Sequence, residues 1–448
     1  MIGAIADDYT GGTDVAVAFR RAGLRTVLLF GEPSDHVELP EHDAVVVALK
    51  SRTIAPAEAV RMSLASASWL KNRGVGQFYF KYCSTFDSRP EGNIGPVADA
   101  LAGFLGASRV VVAPSSPEHL RTQYLGHLFV DRQLLSESPM RHHPLTPMTD
   151  SFIPRVLAAQ TAAPVSLIDE RDVRRGRARI RSLLDERGPS DELHYVVVDA
   201  ITDGDLREIG AACADELLVT GAAGLAGGLG AARAARLGAV QPVAVVGDRG
   251  PGRLRDAGPG AVLAGSCSAR TLQQVAHMAA AHPSFRLDAL SSADAGTLAE
   301  EALRWYDRQD AAVAPLVYSS LPPRELAEVQ AALGTEQASD LLETAMGLVA
   351  RGLVRRGVRR IVVAGGETSG AVVSALEVDG GVIGEEAAPG VPWIYSTGPD
   401  PVALLLKSGN FGEVELLSQA IESPLSAAPP ATGAGALDAA AADAEARS

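Results

Sequence analysis

Lysine is nearly absent. The 448-residue chain has 40 basic residues, and only Lys50, Lys71, Lys81 and Lys407 are lysine. Arginine therefore supplies generic positive charge, and the surviving lysines mark places that need a compact, rotatable ammonium. Three of the four stand at expected strand ends beside small polar residues, in "ALKSRT", "FKYCSTFDS" and "LLKSGNFG". Lys71 reads as a helix end. Cysteine is also scarce: Cys83, Cys213 and Cys267 are far apart, with no C-x-x-C, which argues against a disulfide framework or a cysteine zinc site and fits a reducing cytosol. No basic stripe offsets a net charge of −14, so nucleic acid is not expected as the main partner. No apolar run reaches the roughly 18 residues of a membrane span, and "MIGAIADDYTGG" lacks a basic leader. The chain reads as soluble, cytoplasmic and not membrane-bound. No G-x-x-x-x-G-K-[ST] or H-E-x-x-H occurs, and "GAAGLAGGLG" (221–230) matches a dinucleotide fingerprint poorly. That glycine run reads as close helix–sheet packing.

What is present is an α/β rhythm. Apolar runs at 2–6, 25–30, 44–49, 77–82, 109–113 and 195–199 read as strands buried on both faces of a parallel sheet. Helical stretches are expected at 12–22, 56–71, 93–105, 171–186 and 204–215. Residues 114–155, rich in proline and histidine, break the pattern and read as a functional irregular stretch. A linker is expected at 238–260. Beyond it the rhythm resumes, with strands near 261–265, 314–318, 360–364 and 402–406 and helices near 268–282, 295–308, 336–356 and 369–377. The Ala/Pro-rich end, 424–448, reads as a disordered tail. The expected fold is α/β in two domains, 1–237 and 261–423, each a mostly parallel sheet flanked by helices.

Polar residues gather at the strand ends, where ligands bind in open α/β sheets. "IADDYTGGTD" (5–14) puts Asp7 and Asp8 directly after a strand. Adjacent aspartates there can hold a base, bind a polyol or carry Mg²⁺ through water. Helix capping accounts for Thr10 or Thr13 but not for this pair. "FKYCSTFDSRPEGNIG" (80–95) supplies Lys81, Ser84, Thr85 and Asp87, with Gly92 and Asn93 opening a helix, a set suited to a small hydroxylated anion. In the second half "GSCS" (Ser266, Ser268), "AGGETSG" (Gly365, Gly366, Glu367, Thr368, Ser369) and "KSGNFG" (Lys407, Gly409, Asn410) read as three loops at one sheet edge that could surround a nucleotide. Lys407 would touch phosphate or pair with an acid such as Glu367.

In this order the motifs resemble the four-carbon acid sugar kinases over residues 1–420, and "KYCSTFDS-x-PEGNIGPV", "AGGETSGAVV-x-AL", "PGVPW" and "LKSGNFG" are most similar to the 3-oxo-tetronate kinase branch. The resemblance implies a sugar-acid-binding N-terminal domain, a nucleotide-binding C-terminal domain, ATP with Mg²⁺ carried on its phosphates, and transfer of the γ-phosphoryl group to O4 of a 3-oxo-tetronate. It implies Asp8 or Asp87 as the group that orients or deprotonates the hydroxyl, and Lys81 as partner of the substrate carboxylate or the phosphoryl group. Asp7, Ser84, Thr85, Gly92 and Asn93 would face the sugar acid, with Arg52 and Arg121 as carboxylate clamps. The chain departs from the branch at 113–122, "APSSPEHLRT", where the branch reads close to "APAFPENGRT". Alternatives are therefore another sugar acid, such as threonate or erythronate, and a non-catalytic paralogue that binds sugar acid or nucleotide. Closure of two domains is expected, and a homo-oligomer is left open.

Overall fold

The computed structural model describes residues 1–142, 146–186, 192–238, 260–310, 312–397 and 400–423. Apart from its two end residues, the expected linker lies outside these, as does the expected tail. In the N-terminal half the chain runs β1 (Ile2–Ala6), α1 (Tyr9–Arg21), β2 (Thr26–Phe30), β3 (Ala44–Ala48), α2 (Pro56–Asn72), β4 (Gln77–Lys81), α3 (Ile94–Leu105) and β5 (Arg109–Ala113). It continues through β6 (Arg121–Tyr124), β7 (His127–Val130), β8 (Gln133–Leu134), α4 (Ile153–Ala158), β9 (Val165–Ile168), α5 (Glu170–Val173), α6 (Arg177–Glu186), β10 (His194–Val198), α7 (Asp203–Ala212), β11 (Leu218–Gly221) and α8 (Ala223–Leu237). The C-terminal half opens with β12 (Ala261–Ala264), α9 (Ala269–Ala279), β13 (Ser284–Arg286), α10 (Ala295–Tyr306), β14 (Leu316–Tyr318), α11 (Pro323–Leu333) and α12 (Thr335–Arg355). It ends with β15 (Arg360–Ala364), α13 (Gly366–Ala375), β16 (Gly380–Ala388), β17 (Val391–Ser396), β18 (Ala403–Lys407) and α14 (Leu416–Glu422).

The α/β reading holds, but the two sheets are joined. Fifteen strands form one sheet in the order β13-β14-β12-β15-β18-β17-β16-β2-β3-β1-β4-β11-β5-β10-β9. Toward each end of it lies a parallel block whose inner strands, such as β3, β5, β12 and β15, are Val-, Ile- or Leu-rich and buried on both faces. The junction is antiparallel: β16 pairs with β2 in the register Gly380↔Leu29, Gly381↔Leu28 and Val382↔Val27. Glycine is required at the junction, because a Cβ on Gly380 would collide with the Leu28 carbonyl and one on Gly381 with the Tyr395 carbonyl. On one face a single apolar core runs through both halves, from Ile2 and Val46 to Leu263 and Val363. On the other face the halves keep separate cores, around Leu49 and Phe80 and around Trp393 and Leu405.

Because β2 opposes β16, the two parallel blocks run in opposite senses along the ribbon. Adjacent strands rotate by roughly 20–25°. The five steps from β18 to β1 therefore turn one block past a quarter turn relative to the other, which accounts for the meeting of their C-terminal loops at one cleft.

Three local differences from the sequence reading have physical causes. The helix expected at 171–186 breaks into α5 and α6 at Gly176, which takes φ +82°. The stretch 114–155 is not wholly irregular: β6, β7 and β8 form a small antiparallel sheet. It is pinned by buried Asp199, which accepts bonds from Gln123 Nε2 and Gly126 N–H, both at 2.9 Å. The glycines of α8 serve helix–helix rather than helix–sheet packing, since side chains on Gly228 and Gly230 would strike the backbone of α7 and Phe19 of α1.

Candidate functional site

On the N-terminal side the site is built on the ends of β1, β3 and β4. Asp7 follows β1 and is buried. Arg52, in the loop after β3, grips it with two bonds of 2.8 Å and reaches Asp8 at 2.6 Å. Lys81 closes β4, almost wholly buried, with its ammonium 3.7 Å from Asp8 and 4.0 Å from Asp7. Gly11 makes this possible, because a Cβ there would overlap Lys81 Nζ. Asp8 does cap α1, accepting from Gly11 N–H at 2.9 Å, contrary to the expectation that capping leaves it free. The helix start carries an acceptor beside two fixed cations.

Electrostatics separate these groups. Burial pushes the Asp7 carboxyl up against the pull of Arg52. Burial acts the same way on Asp8, but Lys81, Arg52 and the Gly11 N–H together hold it below the ordinary carboxylate range. Burial alone would lower Lys81, yet the fields of Asp8, Asp7 and Asp14 lift it above the ordinary lysine value. Asp14, on the second turn of α1, is raised by burial and lies in the fields of Lys81 and His119. The sequence reading did not single it out. The available signal was its place one helical turn after Gly11, on the face that turns to Lys81.

The 80–95 segment divides in two. Asp87 is half-buried and accepts from Thr85 Oγ1 at 2.6 Å, and Ser84 is half-buried beside it. Asn93 instead donates its amide to the carbonyls of Ser51, Arg52 and Ile54, at 2.7, 3.3 and 3.2 Å, so it braces the loop that carries Arg52. Gly92 is fixed by its own turn, where a Cβ would strike Ser88 Oγ. Arg121 starts β6 with its Nη1 on the His119 carbonyl and its Nε buried without a partner. In the divergent turn, Ser116 Oγ lies 2.8 Å from His119 Nδ1, and Leu120 adopts the left-handed φ of +60°.

On the C-terminal side the three loops follow β12, β15 and β18, which are sheet neighbours, and they pack on one another. Ser268 Oγ and Thr271 Oγ1 both donate to the Gly409 carbonyl, at 2.6 and 2.8 Å. A Cβ on Gly409 would meet Ser266 Oγ, and one on Gly265 would meet Thr368 Oγ1. Lys407 is 1% exposed and donates to Thr271 Oγ1 and the Gly409 carbonyl, both at 3.0 Å. It does not pair with Glu367, which is exposed on the first turn of α13, and no carboxylate among the described residues forms a salt bridge with it. Burial pushes the Lys407 ammonium down to about 8. Asn410 is exposed. The N-terminus of α13 begins at Gly365–Gly366 without a side-chain cap. Ser369, 6% exposed, has a hydroxyl with no partner.

The two halves meet in a cavity of about 30 Å³, walled by Tyr9, Thr10 and Thr13 of α1, Gly366 and Ser369 of α13, and Lys407. Lys50 crosses beside it: its ammonium stands 5.1 Å over the Tyr9 ring and packs against Gly370 of α13. An uncapped helix N-terminus, an unpartnered buried hydroxyl and a buried ammonium lacking an acid form a ready anion site. Among the described residues no three His, Cys, Asp or Glu side chains come together as a metal cage. A magnesium ion there would be held through phosphates and water.

Comparison with known proteins matches residues 2–229 to a sugar-binding N-terminal domain and residues 261–417 to a nucleotide-binding C-terminal domain. The chain is 47% identical to a 3-oxo-tetronate kinase of Pseudomonas fluorescens, covering 94% of this chain and 96% of that one. It is 45% identical to a 3-oxo-tetronate kinase of Burkholderia multivorans, covering 94% and 97%. A crystal structure from Salmonella typhimurium LT2, provisionally described as a tRNA synthase, superposes with a TM-score of 0.84 at 40% identity, covering 94% and 98%.

Proposed function

Since the chain belongs to the four-carbon acid sugar kinase family, we propose that it phosphorylates O4 of a 3-oxo-tetronate with ATP across the cleft between its halves. The observation that carries this reading is the shared cavity. An anion site centred on Ser369 and Lys407 faces, across α1, a fixed set of two aspartates, an arginine and a lysine.

In this reading residues 261–423 hold ATP. The loops after β12, β15 and β18 cradle its phosphates, with Ser266, Ser268, Gly365 to Ser369, Lys407, Gly409 and Asn410 at their surface. Residues 1–237 hold the sugar acid. Lys81 and Arg52 offer positive charge to its carboxylate, and Ser84 and Thr85 offer hydroxyls. Magnesium, when bound on the phosphates, neutralises charge that builds on the transferring group. The O4–P bond forms as the bond from Pγ to the bridging oxygen breaks, ADP leaves, and the O4 proton passes to a carboxylate. Asp87 suits that last role better than Asp8. Asp8 is tied to Arg52 and the Gly11 N–H and held strongly ionised, whereas Asp87 has one hydroxyl partner. The transition state for such transfers is loose, so positioning and charge stabilisation dominate over base strength.

ATP consumption measured over erythronate, threonate and their 2-oxo and 3-oxo forms tests the assignment. Turnover should be fastest with a 3-oxo-tetronate, and no turnover with any of them while ATP still binds would sink it. Asp87→Asn should lower kcat by roughly 10²-fold or more, as for loss of a general base, with ATP affinity unchanged. Loss of ATP binding in that variant would place Asp87 on the wrong side of the cleft.

A further inference from the structure

Lys81 and Lys407 have roles in the kinase reading; Lys50, the remaining strand-end lysine, has none. Its backbone is fixed in the N-terminal half. Leu49 N–H donates to the Ala6 carbonyl at 2.8 Å, and the N–H groups of Ser51 and Arg52 donate to the Asp7 carbonyl at 2.9 and 3.1 Å. The Asn93 amide donates to the Ser51 carbonyl at 2.7 Å. The segment that carries Lys50 is therefore the one that aims Arg52 at Asp7 and Asp8. The Lys50 side chain reaches instead to α13. Its ammonium stands 5.1 Å over the Tyr9 ring and rests on Gly370, where an added Cβ would come within 2.7 Å of Nζ. A cation anchored in one half thus lies on a helix of the other.

That place is unfavourable for an ammonium on its own. The N-terminal end of a helix carries partial positive charge, and Gly370 lies in the first turns of α13. Lys407, a second ammonium, lines the cavity beside Lys50. No carboxylate among the described residues pairs with Lys50, and its side chain is exposed, so neither an ion pair nor burial accounts for its position. Tyr9 lines the cavity from α1 and Ser369 from α13. Lys50 stands over the first and against the neighbour of the second. It marks the seam that a phosphoryl group crosses between donor and acceptor.

We propose that Lys50 is a catalytic residue: carried by the sugar-acid half, its ammonium contacts the oxygens of the γ-phosphoryl group during transfer to O4, an inference that rests on the kinase reading above. Lys407 belongs to the donor half and holds the triphosphate before transfer. Lys50 belongs to the acceptor half and meets the phosphoryl group only when the cleft closes. A compact ammonium on a flexible stem can follow a group that moves. Lys50 keeps its proton throughout. The O4–P bond forms, the bond from Pγ to the ADP oxygen breaks, and the O4 proton goes to the carboxylate. The ammonium donates hydrogen bonds to charge that a loose transition state spreads over the equatorial oxygens.

Single-turnover transfer from ATP to a 3-oxo-tetronate reads this step without interference from product release. Lys50→Met keeps the stem and removes the charge. It should slow transfer by about 10²–10³-fold, with Tm not lowered. The Kd of ATP, measured by calorimetry without sugar acid, should stay within about threefold of wild type. Lys50→Arg, which keeps a positive charge, should recover at least about tenfold of the lost rate. An unchanged transfer rate in Lys50→Met overturns the proposal. So does an ATP Kd that rises as much as the rate falls, which would make Lys50 a binding cation only. Lys50→Arg as slow as Lys50→Met overturns it too, since packing rather than charge would then matter. A wild-type protein that binds ATP but transfers nothing to any of the sugar acids would overturn the kinase reading itself.

Discussion

Lys407 shows how far one buried charge shapes the chemistry. Its ammonium has a hydroxyl and a carbonyl for company and no acid among the described residues. Below pH 8 it is protonated in the folded and unfolded chain alike, and the fold bears the penalty of burying it. Between about 8 and the ordinary lysine value of 10.5 the unfolded chain binds more protons, so stability contributed by this group rises with pH across that window. Binding follows the opposite sign: triphosphate should bind less tightly as pH climbs through 8 and the charge is lost. Lys407→Met separates the two effects. It should raise Tm by roughly 2–4 °C while raising the KM for ATP at least about tenfold. A variant that loses both stability and affinity would mean that the ammonium is a structural prop.

This residue also marks what the sequence could show. Lysine scarcity pointed to Lys50, Lys81 and Lys407, and all three reach the cleft region. The partners did not follow from scarcity. That Lys407 faces the Thr271 hydroxyl rather than Glu367, and that Asn93 braces the Arg52 loop, depend on distances between segments more than thirty residues apart. Asp14 was passed over because its one mark, a place one turn after Gly11 on α1, gains meaning only once Lys81 is seen to pack there.

At the scale of elements, the Val-rich strands were legible because burial on both faces leaves continuous apolar runs. The short or half-polar strands β9, β11, β13 and β16 leave none, and in β17 the proline of "VPWIYS" masks the strand signal. Least visible was the pairing of β16 with β2, since β16 reads "GGVIGEEAA" and glycine weakens any strand signal. Those glycines are what the junction needs. Gly380→Val would drive a side chain into the Leu28 carbonyl and against Leu29 on β2. Calorimetry should then show a Tm several degrees lower, on the scale of 2–4 °C per kcal/mol for large domains, and a broadened or split transition. A single unshifted transition would show that the β2–β16 ladder adds nothing to stability.

For the whole molecule, a cavity of about 30 Å³ is too small for a phosphoryl group and its acceptor. In the proposed kinase reading the cleft would open to load and close to exclude water. Continuity of the sheet restricts that motion to bending at the antiparallel junction, with the shared core on one face acting as a spine. Hydrogen exchange should therefore find the amides of 27–29 and 380–382 protected with or without ligand. The loops at 365–369 and 407–411 should gain protection only when nucleotide is present. Fast exchange at 380–382 in the free protein would place the hinge in the ladder itself.

The β2–β16 ladder has a consequence for any attempt to dissect this chain. Severing it between residues 238 and 260 would give two fragments, each with a bare strand at its rim. One would present Val27 to Leu29, the other Gly380 to Val382. Unpaired rims of this kind recruit whatever strand is nearest. Each fragment made alone should be prone to precipitate or self-associate, whereas co-expression should let the rims find each other and rebuild a working enzyme from two pieces.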